Sequence, residues 1–197
     1  AEVNIEADGQ IPHDEYMQLR SAVCRDCYDV ATSTRKLVLF SLYGDSYPIP
    51  KNYEIGLNEM VRTVLNSYDL HFKTKPRTFD FKSDVTDDVK IRTNTLLQEL
   101  LNCLLDNVVK YATGDTLTLN CRTNADGTYS IVLSNEGPAI PAADADRIFV
   151  PFVRLSPDEH SLGVGLPLAR CLAISMGYTL TIDTTYKLGA RYIINGL

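Results

Sequence analysis

Residues 97–112 read LQELLNCLLDNVVKYA, and Leu97, Leu100, Leu101, Leu104, Leu105 and Val108 recur at steps of three and four. Such steps return to one face of an α-helix, so the spacing predicts an amphipathic helix with a leucine-rich buried side. The other side is unlike an ordinary solvated face. Glu99, Cys103, Asn107, Lys110 and Tyr111 fall along one line, with Asp106 beside them. Side chains three and four positions apart share a helical face, so a carboxylate, a thiol, an amide, an ammonium and a phenol are set in a row.

The pattern elsewhere alternates helix and strand. Residues 12–43 read as one long helix, opened by Pro12 and closed by Gly44, with Leu19, Val23, Cys27, Val30, Thr34, Leu37, Val38, Ser41 and Leu42 near heptad spacing. A stripe of that kind buries itself against a partner helix. GDSYPIPKN then breaks the chain with Gly44, Pro48 and Pro50. Residues 53–56 read as a short strand and 57–72 as a second amphipathic helix, with Leu57, Val61, Val64, Leu65 and Tyr68 on its inner face. Phe79 and Phe81 alternate within TFDFKSD, a strand pattern over 78–84. The leucine-rich helix is expected from about Arg92 to Ala112. TLTLNCRT and TYSIVLSN form strands joined by NADG, a hairpin turn signal. Residues 138–162 form a long loop containing proline, 166–176 a helix, and YTLTIDTT with ARYIING a closing hairpin. The predicted class is α+β, a mostly antiparallel sheet with helices on one face.

Composition narrows the partners. The 197 residues are 45% hydrophobic and 22% charged, which suits one globular domain with some chain to spare. The formal charge is −6 and no run of Lys or Arg exceeds two, so the basic footprint that nucleic acid requires is missing. No apolar run is long enough to span a bilayer. AEVNIEADGQ is acidic, unlike a signal peptide, and the absence of an initiator Met points to a segment of a longer chain. Five cysteines form no evident disulfide framework, which fits a reducing cytoplasm. Cys24 and Cys27 make a CxxC without a second Cys or His pair nearby, so it reads as incidental, with metal or redox chemistry as the alternative.

Three further stretches carry chemistry. SNEGPAIP (134–141) follows a predicted strand and makes a rigid turn where backbone can approach a flat ligand. RIFVPFVR (147–154) sets Phe149 and Phe152 three apart. LGVGLPLAR (162–170) places Gly163 and Gly165 before a helix with Pro167 in its first turn, where exposed N–H groups and the helix dipole favour an anion. Each has a bland reading: a tight turn, core aromatics, a surface helix.

In their order, these stretches resemble the catalytic ATP-binding domain of sensor histidine kinases, within the gyrase, heat-shock-90, histidine-kinase and MutL superfamily. LLQELLNCLLDNVVKYA resembles the family's N box, SNEGPAIP its G1 box, RIFVPFVR its F box, LGVGLPLAR its G2 box and GARYIINGL its closing strand. The resemblance implies a two-layer α/β sandwich of the Bergerat type over residues 53–197. It is preceded by a linker at 47–52 and, within 1–46, part of the dimerisation and phosphotransfer hairpin. ATP and Mg²⁺ are the implied ligands. Asn107 matches the Mg²⁺-ligating asparagine, Lys110 a phosphate-facing base and Tyr111 an aromatic near the nucleotide. Asn135 stands in the place of the adenine-reading Asp, beside Gly137 and Ile140. Gly163, Val164, Gly165 and Leu166 match the lid hinge and phosphate cradle, and Phe149 with Phe152 the anchor of the lid.

The activity implied is transfer of the ATP γ-phosphoryl to a His, then to a response regulator receiver domain. The resemblance also implies a homodimer through the N-terminal helix and a cytoplasmic location, and leaves inner-membrane anchorage of the full-length protein open. His13, His71 and His160 lie outside any phosphoacceptor motif, so the acceptor is expected upstream of residue 1. The chain departs from the family at several places. Cys103 replaces the first N-box Asn, Asn135 replaces Asp and Ala139 replaces the second G1 glycine. Ser161 and Leu162 replace small residues, and the lid at about 155–162 is short, carrying Asp158, Glu159 and His160. These departures leave a second function open, a non-catalytic signalling or dimerisation module of the same fold.

Overall fold

The computed structural model describes residues 12–44, 48–71, 78–155 and 162–197. Its elements are α1 (His13–Gly44), β1 (Tyr53–Gly56), α2 (Leu57–His71), β2 (Thr78–Ser83), β3 (Lys90–Thr93), α3 (Leu96–Tyr111), β4 (Thr116–Thr123), β5 (Tyr129–Asn135), α4 (Gly165–Ser175), β6 (Thr179–Ile182) and β7 (Arg191–Asn195). Two short 3₁₀ turns, Ala142–Asp144 and Arg147–Phe149, lie between β5 and α4. The chain divides into two compact units, residues 1–38 and 39–197.

In the first unit the predicted helix forms, and its apolar positions face solvent. Tyr16, Met17, Leu19, Val23, Val30, Leu37 and Val38 are all exposed, Val30 to 66%. In the second unit, a five-stranded sheet of order β2-β4-β5-β7-β6 is antiparallel except for the parallel pair β2 and β4. A separate two-stranded ribbon pairs β1 with β3. The alternating inward residues Leu117, Leu119 and Cys121 of β4, Ile131 and Leu133 of β5, and Tyr192 and Ile194 of β7 share one buried cluster with α2, α3 and α4. This is the two-layer sandwich expected.

The leucine stripe is the centre of that cluster. Leu97, Leu100, Leu101, Leu104, Leu105 and Val108 are each 0% exposed, and each such side chain contributes about 1.5–3 kcal/mol on burial. On α2, Leu57, Val61, Val64 and Leu65 are buried as predicted; the Tyr68 side chain lies outside the described residues. The helix start was placed too early by sequence: Arg92 and Thr93 belong to β3. Asn94 follows that strand and its Oδ1 accepts from Leu96 N at 3.0 Å, which supplies one N–H of the new helix with a partner. At the other end Ala112 turns extended and closes α3.

The hairpin signal NADG forms as read, with Gly127 at φ +83 and Asn124 N donating to Thr128 O at 2.8 Å. The C-terminus of α4 is set by Gly177 at φ +81. Gly177 N donates to Ile174 O at 3.0 Å and Tyr178 N to Ala173 O at 2.9 Å. That pair of bonds is a Schellman closure, and it turns the chain directly into β6.

Candidate functional site

The end of α3 meets the turn after β5. Thr113 N donates to Glu136 O at 2.9 Å. A β-carbon on Gly137 would sit 2.6 Å from the Tyr111 carbonyl oxygen, so this approach requires glycine. From the other side, Asn135 N donates to Ala190 O at 3.1 Å and Gly137 N to Leu188 O at 2.8 Å. The turn is thus clamped between a helix end and the segment leading into β7. Its side-chain consequence is Asn135. That residue is 2% exposed. Its Nδ2 donates to Glu136 O at 3.1 Å, while its Oδ1 is buried with no hydrogen-bond partner. An unpartnered buried acceptor costs about 1–3 kcal/mol, which an arriving ligand N–H would offset.

Asn107 lies one helical turn before Tyr111 and is half-buried. Its Nδ2 donates to the hydroxyl of Tyr192 on β7. Tyr192 is 0% exposed. Burial pushes its phenol above the ordinary range and the neighbouring Tyr111 adds to this, while the bond from Asn107 acts in the opposite sense. Tyr192 therefore stays a neutral hydroxyl at physiological pH. Lys110 is exposed, with its Nζ 5.0 Å from the centre of the Tyr111 ring.

The third part is the start of α4. Gly163 has φ +67, and its carbonyl accepts from Phe152 N at 3.0 Å. A β-carbon at Gly163 would meet the Val153 carbonyl oxygen at 3.0 Å. Val164 is buried and precedes the helix; Gly165 and Leu166 form its first two positions. The first intrahelical bond runs from Leu168 N to Val164 O at 3.0 Å. The N–H groups of Gly165 and Leu166 lie ahead of any such carbonyl, the arrangement that receives anions.

Not every expected residue takes its expected place. Cys103 is 3% exposed and belongs to the core, so the row on α3 does not run along one open face. Ile140 and Leu166 are half-buried against the core. Phe149 is buried, with the Arg170 guanidinium 4.8 Å from its ring centre, and lines a groove with Phe40, Tyr43 and Pro167. Phe152, expected with Phe149 as the anchor of the lid, is 65% exposed and has φ +66. The lid residues Asp158, Glu159, His160 and Ser161 lie outside the described residues, as does the His71 side chain. His13 is exposed at the first position of α1. Sequence reasoning missed Tyr192 and Gly189. A tyrosine in an alternating strand and a glycine before it carry no local signal of a partner many residues away.

These residues fit a purine nucleotide with Mg²⁺. The orphaned Asn135 Oδ1 suits an exocyclic amino group. The amide oxygen of Asn107 is a hard neutral donor. Among the described residues no group of three or more His, Cys, Asp or Glu could hold a metal. A cation here would take one side-chain oxygen and complete its shell with phosphate and water, as Mg²⁺ does.

Residues 93–195 match the family described as "Histidine kinase-, DNA gyrase B-, and HSP90-like ATPase". The sensor protein RstB of Escherichia coli K12 is 29% identical over 130 residues, 63% of this chain and 29% of that protein. The heme sensor protein HssS of Staphylococcus saprophyticus is 23% identical over 180 residues, 89% of this chain and 38% of that protein. The chain thus spans well under half the length of these relatives. Among solved structures, full-length ShkA in complex with AMPPNP superposes with a TM-score of 0.75 at 16% identity, over 98% of this chain and 39% of that one. The Acinetobacter baumannii histidine kinase AdeS gives 0.70 at 15% identity, over 94% of this chain and 85% of that one. The fold is that of histidine kinase catalytic domains, with the long N-terminal helix present. No helix among the described residues is long and apolar enough to cross a membrane.

Proposed function

The chain belongs to the histidine kinase-, DNA gyrase B- and HSP90-like ATPase family, and from that premise we propose that it is the ATP-binding catalytic domain of a two-component sensor histidine kinase. It transfers the γ-phosphoryl group of ATP to a histidine outside these residues, for relay to a response regulator receiver domain. One observation carries the assignment: the buried, unpartnered Oδ1 of Asn135 beside the side-chain-free Gly137.

The residues divide the work. Asn135 accepts from the adenine amino group, and Gly137 and Ile140 border the ring. Asn107 offers its oxygen to Mg²⁺, which neutralises phosphate charge when bound. Lys110 adds a point charge on the phosphate side and Tyr111 an aromatic edge. Gly163, Val164, Gly165 and Leu166 present backbone N–H groups to the phosphates. Little covalent chemistry is asked of the protein; it positions the phosphates and stabilises their charge. Phe149 supports this edge from within the core. The exposed stripe of α1 supports a homodimer through that helix, and the domain is cytoplasmic, whether or not the full-length protein is anchored in the inner membrane.

Cys103 favours a second function. A buried thiol supplies no hard oxygen ligand at a place where the family carries asparagine, which suits a non-catalytic module of the same fold. Calorimetric titration with ATP, with and without Mg²⁺, separates the two. Mg²⁺-dependent binding that Asn107→Ala removes supports the kinase domain. Absence of binding at millimolar ATP would sink it in favour of the module.

A further inference from the structure

We propose that the Tyr192 hydroxyl is the positioning group for Asn107, holding its amide in the one rotamer that presents it to the metal; this rests on the nucleotide-site assignment above. An asparagine amide presents an oxygen acceptor at one end and an NH₂ donor at the other, and only the oxygen ligates a cation. A half-buried side chain held by nothing else would sample several rotamers, and Tyr192 fixes one of them. Its ring is 0% exposed in the sheet, and its hydroxyl receives Asn107 Nδ2 across the gap between β7 and α3. With the nitrogen held on the strand, the oxygen is the end left for the cation. Residues 107 and 192 are 85 positions apart, so the metal ligand on α3 is oriented by a different element. Ligands to metals are commonly held in this way by a second layer of hydrogen bonds, and loss of such a partner lowers metal affinity about 10–100-fold. Tyr192 touches neither nucleotide nor metal; it acts through Asn107.

The test is Tyr192→Phe, which removes one oxygen and keeps the ring. The readout is the Mg²⁺ concentration that half-saturates the Mg²⁺-dependent increase in ATP affinity, measured by calorimetry. We expect it to rise about tenfold. In an Asn107→Ala background the same substitution should change nothing, because the two residues act as one unit. An unchanged Mg²⁺ response in Tyr192→Phe, or an equal effect in both backgrounds, overturns the inference while leaving the ATP site standing. A wild-type chain that binds no ATP overturns both. A second measurement needs no variant. In wild-type protein the Asn107 side-chain NH₂ protons should exchange with solvent more slowly than those of exposed asparagines. Exchange at the free-amide rate would overturn the inference.

Discussion

Gly189 runs against the backbone of Asn135: a β-carbon on Gly189 would come 2.0 Å from the Asn135 carbonyl oxygen and 2.8 Å from Gly137 N. Both atoms are main chain, so no rotamer change can relieve the contact. Gly189→Ala should destabilise the protein by about 1–3 kcal/mol, the range of overpacked sites. The same change should weaken ATP binding, because the displaced segment supplies the Leu188 and Ala190 carbonyls that hold the turn at Asn135. Urea unfolding and ATP titration of the variant check the two halves. Unaltered binding in a destabilised variant would separate the turn from the site.

Asn135 is expected to read the base. Inosine triphosphate presents a carbonyl where adenine presents an amino group, so it meets the Asn135 oxygen acceptor-to-acceptor. The wild-type chain should prefer ATP by about tenfold, the value of one hydrogen bond that is either made or left unmade at a buried site. Asn135→Ala should bind the two nucleotides alike. Competition titrations of the two nucleotides measure the ratio.

The alkaline limb of stability should be steep. Burial pushes the Cys121 thiol up from 9.0 to about 12, with the charge of Asp84 adding and that of Arg62 opposing. The folded chain keeps this proton in a range where the unfolded chain has lost it. Below pH 9 the contribution is therefore complete. Between about 9 and 12 stability falls with rising pH, by about 1.4 kcal/mol per pH unit. Tyr192, raised in the same direction, adds to the loss above about pH 10. Urea unfolding at a series of pH values should show this slope, and Cys121→Ala should flatten it while lowering stability at neutral pH.

Phe152 holds a left-handed backbone, φ +66, with its ring 65% exposed. An L-residue other than glycine or asparagine costs roughly 1–2 kcal/mol there, and an exposed ring recovers little of it. Phe152→Gly should leave thermal stability unchanged or raise it, although it deletes an aromatic side chain. A fall of several degrees would mean that the ring packs in solution.

What the sequence made legible was periodic or local. The α3 stripe and the Gly127 turn each depend on neighbours in the chain, and both formed as expected. β3 was hidden because KIRT is only four residues long and abuts a strong helical pattern, so its alternation was absorbed into the helix. The parallel pairing of β2 with β4 leaves no trace in periodicity, which reports faces and not neighbours. In the site, Asn107, Asn135 and Gly137 were legible as motif positions. The groups that hold them, Tyr192 and Gly189, were not, since their importance arises only when distant strands meet. Cys103 was misjudged for a related reason: helical spacing says which residues align, but the packing around the helix decides how much of that line is covered.

The strand order has a consequence for synthesis. β7 lies between β5 and β6 in the sheet, yet it is the last of these five strands to leave the ribosome. Until residues 188–195 emerge, the inner edge of β5 has no neighbour, the turn at Asn135 lacks two of its backbone bonds and Asn107 lacks Tyr192. A nascent chain stalled before that strand has its leucine core in hand but no assembled pocket and an open, aggregation-prone edge. Competence to bind nucleotide then arrives late and in one step, as the final strand is inserted between two that are already made.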